Sequence, residues 1–360
     1  MKHIILLFLL LILKTVISKS YKKKYANSYK NDYHTDIKLS NNLKILNGTA
    51  ANPSNFPYAV FIFTHLYGHN SSCTGSLIAE GTVLTAAHCL LTPFGKIPTS
   101  SMYVTIGNSL NILTEKRIYN VSNTIAHPEF SFETYENDIG IIKFEHDDLN
   151  PISLAKIYSY SINDDLQVIA SGWGATSNED FSPSDVLMSV PLQISSSESC
   201  SYFYPIWISN NDKLICTKIL NGQSPCYGDS GGPLVYSGVF PMPLVGIISF
   251  GLSKPLNSSA RRQSDCGLSG SFGFYTHVFN YIDWISKMIG IDESDLIYTG
   301  VPFNSSKPFS ISKISPASSY RSFGVSMSVN VNFSSFSSYY ISFYYPFVVF
   351  VLMISIINTI

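Results

Sequence analysis

Residues 228–233 read Gly-Asp-Ser-Gly-Gly-Pro, residues 85–89 read Thr-Ala-Ala-His-Cys, and between them Asn137-Asp138-Ile139 stands ahead of an apolar run. A serine hydroxyl is a weak nucleophile at neutral pH unless a base takes its proton as it attacks. The base in turn must be held in the useful tautomer by a third group. Ser230, His88 and Asp138 supply these three chemical types, in the chain order His, Asp, Ser. Each is weak evidence alone, since the chain holds eight histidines, a carboxylate ahead of a strand often only caps it, and Gly-Asp-Ser-Gly strings also make ordinary turns. Together and in this order they point to catalysis by an activated serine.

The elements that must carry these residues are strands. Runs rich in β-branched and aromatic residues recur at 59–63, 76–78, 103–106, 139–144, 166–170, 187–192 and 244–250, with Gly, Asn, Ser or Pro between most of them. Many short strands separated by turn residues predict an all-β barrel or sandwich. One helical pattern, roughly Phe279 to Ile289, sets Ile282, Ile285 and Ile289 on one face.

The chain has 360 residues, of which 45% are hydrophobic and 13% charged, enough apolar material for a sizeable core. Residues 19–44 hold seven Lys and two Asp, a balance of +5, whereas residues 45–290 hold eleven basic and nineteen acidic residues, a balance of −8. The lysine-rich leader either is a solvated segment or lies on the acidic body and shields it. No basic face marks a nucleic-acid partner.

Met1-Lys2-His3 followed by ten apolar residues from Ile4 to Leu13 has the layout of a secretory signal, with cleavage expected after Ser18. Six cysteines, at 73, 89, 200, 216, 226 and 266, fit an oxidising compartment, and their pairing stays open among 15 arrangements. Sequons at Asn47, Asn70, Asn120, Asn257, Asn304 and Asn332 agree with passage through the secretory pathway. Past residue 290 the composition shifts: 291–338 read as a Ser/Asn-rich linker, with 303–338 dominated by Ser, Asn and Phe, and 339–360 form a hydrophobic tail. Tyr339 to Ile357 is nineteen residues without a charge and is followed by no basic flank, which favours a lipid-anchor signal over a transmembrane span.

The segments around His88, Asp138 and Ser230, and the stretch from Ile45 to about Gly290, resemble the chymotrypsin-like serine peptidases. The resemblance implies two six-stranded antiparallel β-barrels with a C-terminal helix and an active site in the cleft between the barrels. After the 1–18 signal peptide read above, it implies a 19–44 activation propeptide and a 45–290 peptidase domain. It pairs Cys73 with Cys89, Cys200 with Cys216 and Cys226 with Cys266. It makes His88 the general base and Asp138 its orienting partner, and it makes the N–H groups of Gly228 and Ser230 the oxyanion hole. Cleavage after Lys44 would free the Ile45 amine to pair with Asp229.

By the same resemblance Ser224 forms the floor of the substrate pocket, with Ser249, Gly251 and Gly273 in its walls. A neutral floor and open walls imply selection of large apolar or aromatic side chains. An enzyme of that kind would not cut after its own Lys44, so a separate trypsin-like activating protease is implied. Two departures stand out: Phe250 replaces the usual Trp, and fourteen residues, 252–265, separate Gly251 from Cys266. That long loop, with Lys254, Arg261, Arg262 and Asp265, leaves trypsin-like or elastase-like selection as the alternative. The alternative of another class is a catalytically silent binding module tethered to a membrane. The partners expected are protein or peptide substrates and the activator, with attachment to the outer cell surface through the tail. No cofactor and no metal are expected.

Overall fold

A computed structural model of the chain describes residues 48–106, 118–145, 153–196, 198–253 and 265–300. The expected signal, propeptide, distal linker and tail lie outside the described residues, as do Lys44, Ile45 and most of the 252–265 loop. No helix among the described residues is long and apolar enough to cross a membrane.

A short strand β1 (Thr49–Ala50) leads into β2 (Ala59–Leu66), β3 (His69–Ala79) and β4 (Thr82–Thr85). A small hairpin, β5 (Leu91–Thr92) with β6 (Gly95–Lys96), precedes β7 (Met102–Ile106), β8 (Tyr119–Ala126) and β9 (Gly140–Phe144). The order β2-β3-β4-β9-β8-β7 closes into a barrel. Between β2 and β3 the two turn residues Tyr67 and Gly68 both have positive φ, 53° and 80°, so the loop twists in the sense that the flanking strands need.

The second barrel is built from β10 (Gln167–Gly172), β11 (Met188–Ile194), β12 (Leu214–Lys218), β13 (Pro233–Tyr236), β14 (Leu244–Leu252) and β15 (Phe272–His277). Its order is β11-β10-β13-β14-β15-β12, and pairing of β11 with β12 at Gln193↔Lys218 and Ile194↔Thr217 closes the ring. Strand β1 adds to the outside of β11 through Thr49↔Ser189. The fold is therefore the pair of six-stranded antiparallel barrels expected above. Helix α1 (Glu198–Phe203) precedes β12. Helix α2 (Ile282–Ile289) follows a 3₁₀ turn at Val278–Tyr281, where the sequence period placed a helix.

Packing continues past residue 290. Helix α3 (Glu293–Leu296) buries Leu296, Ile297 bridges to Ile157, and the Tyr298 N–H donates to the Ile157 carbonyl at 2.8 Å. One apolar core joins Phe61, Leu84 and Ile141 of the first barrel to Trp173 and Ile247 of the second and to Ile285 and Leu296 of the terminal helices. Phe61 meets Trp173 edge-on at 5.7 Å, and the Tyr58 hydroxyl donates to the Met242 carbonyl at 2.9 Å. The barrels thus share a core, and groups on opposite sides of the cleft can hold a fixed spacing.

Three disulfides join Cys73 to Cys89, Cys200 to Cys216 and Cys226 to Cys266. The first ties β3 to the His88 turn and the last ties the Ser230 turn to the segment ahead of β15. Cys73, His88 and Cys89 lie close enough to suggest a metal cluster, but both sulfurs are in the disulfide and neither is a thiolate.

Candidate active site

His88 sits in a 3₁₀ turn, Ala87–Cys89, directly after β4. Asp138 stands just ahead of β9, the neighbour of β4, so barrel pairing brings the two segments side by side. The His88 backbone N–H donates to Asp138 Oδ1 at 3.0 Å, and His88 Nδ1 lies 2.8 Å from Asp138 Oδ2. A carboxylate oxygen accepts only, so this contact puts the ring proton on Nδ1 and leaves Nε2 as the free base. The Tyr135 ring packs edge-on against the imidazole at 5.7 Å.

Asp138 is fully buried, and two more groups hold it. The Ser249 hydroxyl donates to Oδ2 at 2.5 Å and Thr276 Oγ1 donates to the backbone carbonyl at 2.8 Å. Ser249 reaches the carboxylate because β14 shifts register against β15 between Ile248 and Phe250, a bulge that turns the side chain out of the regular alternation. Asn137 has φ 56°, the left-handed conformation that Asn tolerates better than most residues. Its Nδ2 donates to the Glu129 carbonyl at 3.0 Å, while Lys213 Nζ and the Tyr281 hydroxyl both donate to its Oδ1 at 3.1 Å. These bonds set the turn from which Asp138 projects.

Ser230 lies on the second barrel, in the turn between Cys226 and β13. Its carbonyl accepts the Thr74 N–H of β3 at 2.8 Å, which binds the turn to the first barrel. The N–H groups of Asp229, Gly231 and Gly232 are bonded to the carbonyls of Cys226, Ile248 and Asp229. Among the described residues, the N–H groups of Gly228 and Ser230 have no acceptor, and neither does the Ser230 hydroxyl have a partner. Gly228 has φ 96°, a conformation costly for any other residue, and Thr74 Oγ1 donates to its carbonyl at 3.0 Å.

Asp229 points inward and is fully buried, accepting the Gly174 N–H at 2.7 Å and the Cys226 N–H at 2.8 Å. A Cβ at position 174 would lie 2.5 Å from this carboxyl group, so only glycine allows the approach. Loss of water raises the Asp229 pKa to about 7, against the lowering effect of the two N–H donors.

Ser224, Ser249, Gly251 and Gly273 meet around one pocket that opens beside Ser230, with Phe250 and Tyr275 among its other walls. None of the described residues lining it is charged. Ser224 is buried, and its Oγ accepts the Gly267 N–H at 2.7 Å. Asn178, unmarked by any local pattern, grips the same wall: its Nδ2 donates to the Cys266 carbonyl at 3.1 Å and its Oδ1 accepts the Cys266 N–H at 2.8 Å.

A family model described as Trypsin matches residues 45–285, two thirds of the chain. The chain belongs to the trypsin family. Trypsin II-P29 of Gallus gallus is 32% identical over 68% of this chain and 89% of its own length. The clotting factor G beta subunit of Tachypleus tridentatus is 28% identical over 68% of this chain and 79% of its own. Among solved structures, HL collagenase superposes with a TM-score of 0.55 at 28% identity, covering 69% of this chain and all of that one. This trypsin-family chain is a serine-type endopeptidase, a hydrolase whose substrates are proteins.

Proposed function

We propose that the chain is the zymogen of a secreted, surface-tethered endopeptidase that cleaves through an acyl-enzyme on Ser230. His88 takes the serine proton at Nε2 and returns it to the leaving amine, and Asp138 holds the imidazole and stabilises its cation. The observation that carries this reading is the pairing of a buried carboxylate with His88 Nδ1 at 2.8 Å. It is joined by two unbonded N–H groups, of Gly228 and Ser230, in a turn whose other donors are used. Aimed at a carbonyl oxygen, those donors form the oxyanion hole, and losing one such donor costs on the order of 10²–10³ in rate.

The uncharged pocket around Ser224 favours Phe, Tyr or Leu before the scissile bond, since a cationic side chain would lose water there without gaining a counter-charge. Activation follows cleavage after Lys44 by a protease that selects basic residues. The new Ile45 amine then supplies the cation that Asp229 lacks among the described residues. Such a pair needs the amine protonated, so activity falls on the alkaline side as that group titrates. The apolar N-terminal run, the lysine-rich 19–44 segment and the uncharged 339–360 tail support a route as signal, propeptide and anchor through the secretory pathway to the outer cell surface.

The test uses the full chain before and after limited cleavage at Lys44, with Lys44→Gln and Ser230→Ala as controls and peptides offering Phe, Leu, Ala, Lys and Arg before the scissile bond. The cleaved chain should prefer Phe or Leu, with both controls inactive. Full activity in unprocessed Lys44→Gln sinks the zymogen reading. Preference for Arg or Lys sinks the neutral-pocket reading, and a processed chain that cleaves nothing is a silent binding module.

A further inference from the structure

The hairpin that carries β3 ends beside the Ser230 turn, and its tip bears a sequon, Asn70-Ser71-Ser72. Asn70 is exposed, two residues past the Tyr67-Gly68 turn. It pairs across the hairpin with His65, whose Nδ1–H donates to Asn70 Oδ1 at 2.7 Å. That bond uses the amide oxygen and fixes the side-chain direction, leaving Nδ2 outside the contact.

Direction along the strand decides what a group on Nδ2 would cover. Pairing of β2 with β3 is regular from Asn70 to Thr74, so residues 70, 72 and 74 share one face. The other two of these face the Gly228 turn. Thr74 Oγ1 donates to the Gly228 carbonyl at 3.0 Å, and Ser72 Oγ lies 2.9 Å from where a Cβ on Gly228 would stand. Four residues of strand put Asn70 roughly 13 Å along from Thr74, whose N–H bonds the Ser230 carbonyl. None of the described residues lining the Ser224 pocket comes from β3. Strand β3 thus meets the Ser230 turn away from that pocket, and a substrate whose side chain before the scissile bond fills the pocket would carry the chain after the bond past β3.

We infer that Asn70 carries an N-linked glycan that screens the leaving-group side of the cleft, admitting flexible peptides and hindering folded proteins. The inference rests on the secretory reading above. In the transfer step Nδ2 bonds to the anomeric carbon of a lipid-diphosphate-linked oligosaccharide, the lipid diphosphate leaves, and the amide proton passes to a base of the transferase. A sugar chain there is bulky and hydrated. It opposes a substrate by excluding volume, with no effect on the groups that do the chemistry.

The test produces the full chain in a eukaryotic secretory host and maps glycopeptides by mass after glycosidase treatment. Native enzyme, Asn70→Gln and Asn120→Gln are cleaved at Lys44. Each is assayed on a folded protein and on a short chromogenic amide with no residue past the scissile bond. Asn70→Gln should raise kcat/KM on the folded protein by about fivefold or more while leaving the short amide unchanged, and Asn120→Gln should move neither. Trimming the native glycans to a single sugar should reproduce the gain without a substitution. A glycan on Asn120 with none on Asn70 overturns the inference and leaves the secretory reading standing. An occupied Asn70 with an unchanged protein-to-amide ratio also overturns it. A secreted chain bare at every sequon overturns it too, whereas a chain that never enters the secretory pathway overturns both readings.

Discussion

Asp229 has an ordinary carboxyl group in a place without water, where two N–H donors offset only part of the lost hydration. Its pKa is raised from 3.8 to about 7, so between about pH 4 and pH 7 the folded chain keeps a proton that the unfolded chain has released. Stability therefore falls as pH rises through that window, by up to about 4 kcal/mol once the cost is fully present. His277 acts in the opposite sense: burial lowers its pKa from 6.5 to about 4, so its contribution is lost as pH falls through that range. The two overlap, and the informative quantity is a difference between variants. Uncleaved Asp229→Asn should gain stability relative to the native chain as pH rises from 5 to 8, measured by urea unfolding. A gap that stays constant with pH would show that Asp229 already has a cation in the uncleaved chain. Asp229 and its neighbours were legible because a Gly-rich turn is a local signal. Asn137, Thr74 and Thr276 were not, since a threonine bonded to a carbonyl 154 residues away leaves no mark on its own neighbourhood. Ser249 was legible as a pocket wall, but its bond to Asp138 spans 111 residues and depends on a bulge.

At the scale of elements, strands with clear apolar runs were legible, and β2, β7, β9, β10, β11 and β14 lie where the pattern put them to within a few residues. Others hid for physical reasons. Strand β8 is largely polar because one face meets solvent, β13 begins at a proline, and β15 has glycine and histidine in a fully buried run. The segment between β10 and β11 has almost no regular structure, yet it stitches the site together. The Ala175 N–H bonds the Tyr227 carbonyl at 2.6 Å, and Phe181 meets Tyr227 edge-on at 4.8 Å. Asn178 holds both polar backbone groups of Cys266. Replacing Asn178 by Ala leaves a part-buried N–H and carbonyl without partners, a loss on the order of 1–3 kcal/mol, borne by the pocket wall. If the pocket binds the side chain before the scissile bond, as proposed, KM for a Phe-containing peptide should rise about tenfold with kcat changed less, because the wall would contact substrate before and during the reaction alike. Asn178→Asp keeps the acceptor and should recover part of the loss. Equal falls in kcat and kcat/KM, with KM unmoved, would place the effect on the chemistry and refute a role in the wall.

The whole molecule must hold two barrels at one spacing, since His88 and Asp138 stand on the first and Ser230 on the second. Covalent help is limited: each disulfide staples its own neighbourhood, and none directly joins a strand of one barrel to a strand of the other. The barrels are joined instead by the shared apolar core and by a few bonds such as Thr74 N–H to the Ser230 carbonyl. The C-terminal segment closes this core. Leu296 is 1% exposed, and the residues after it bond Ile157, which itself bridges to Leu244 of the second barrel. Leu296→Ala in the full chain should cost about 2–5 kcal/mol, the range for a large-to-small change at a buried site that cannot fully collapse. The cleaved enzyme should show this as a lower urea midpoint with an unchanged slope, because the same surface is still exposed on unfolding. Below that midpoint kcat should stay near the native value, since Leu296 touches none of the reacting groups. A stability change within about 0.5 kcal/mol, the range for exposed surface positions, would mean that the segment past residue 290 does not seal the core.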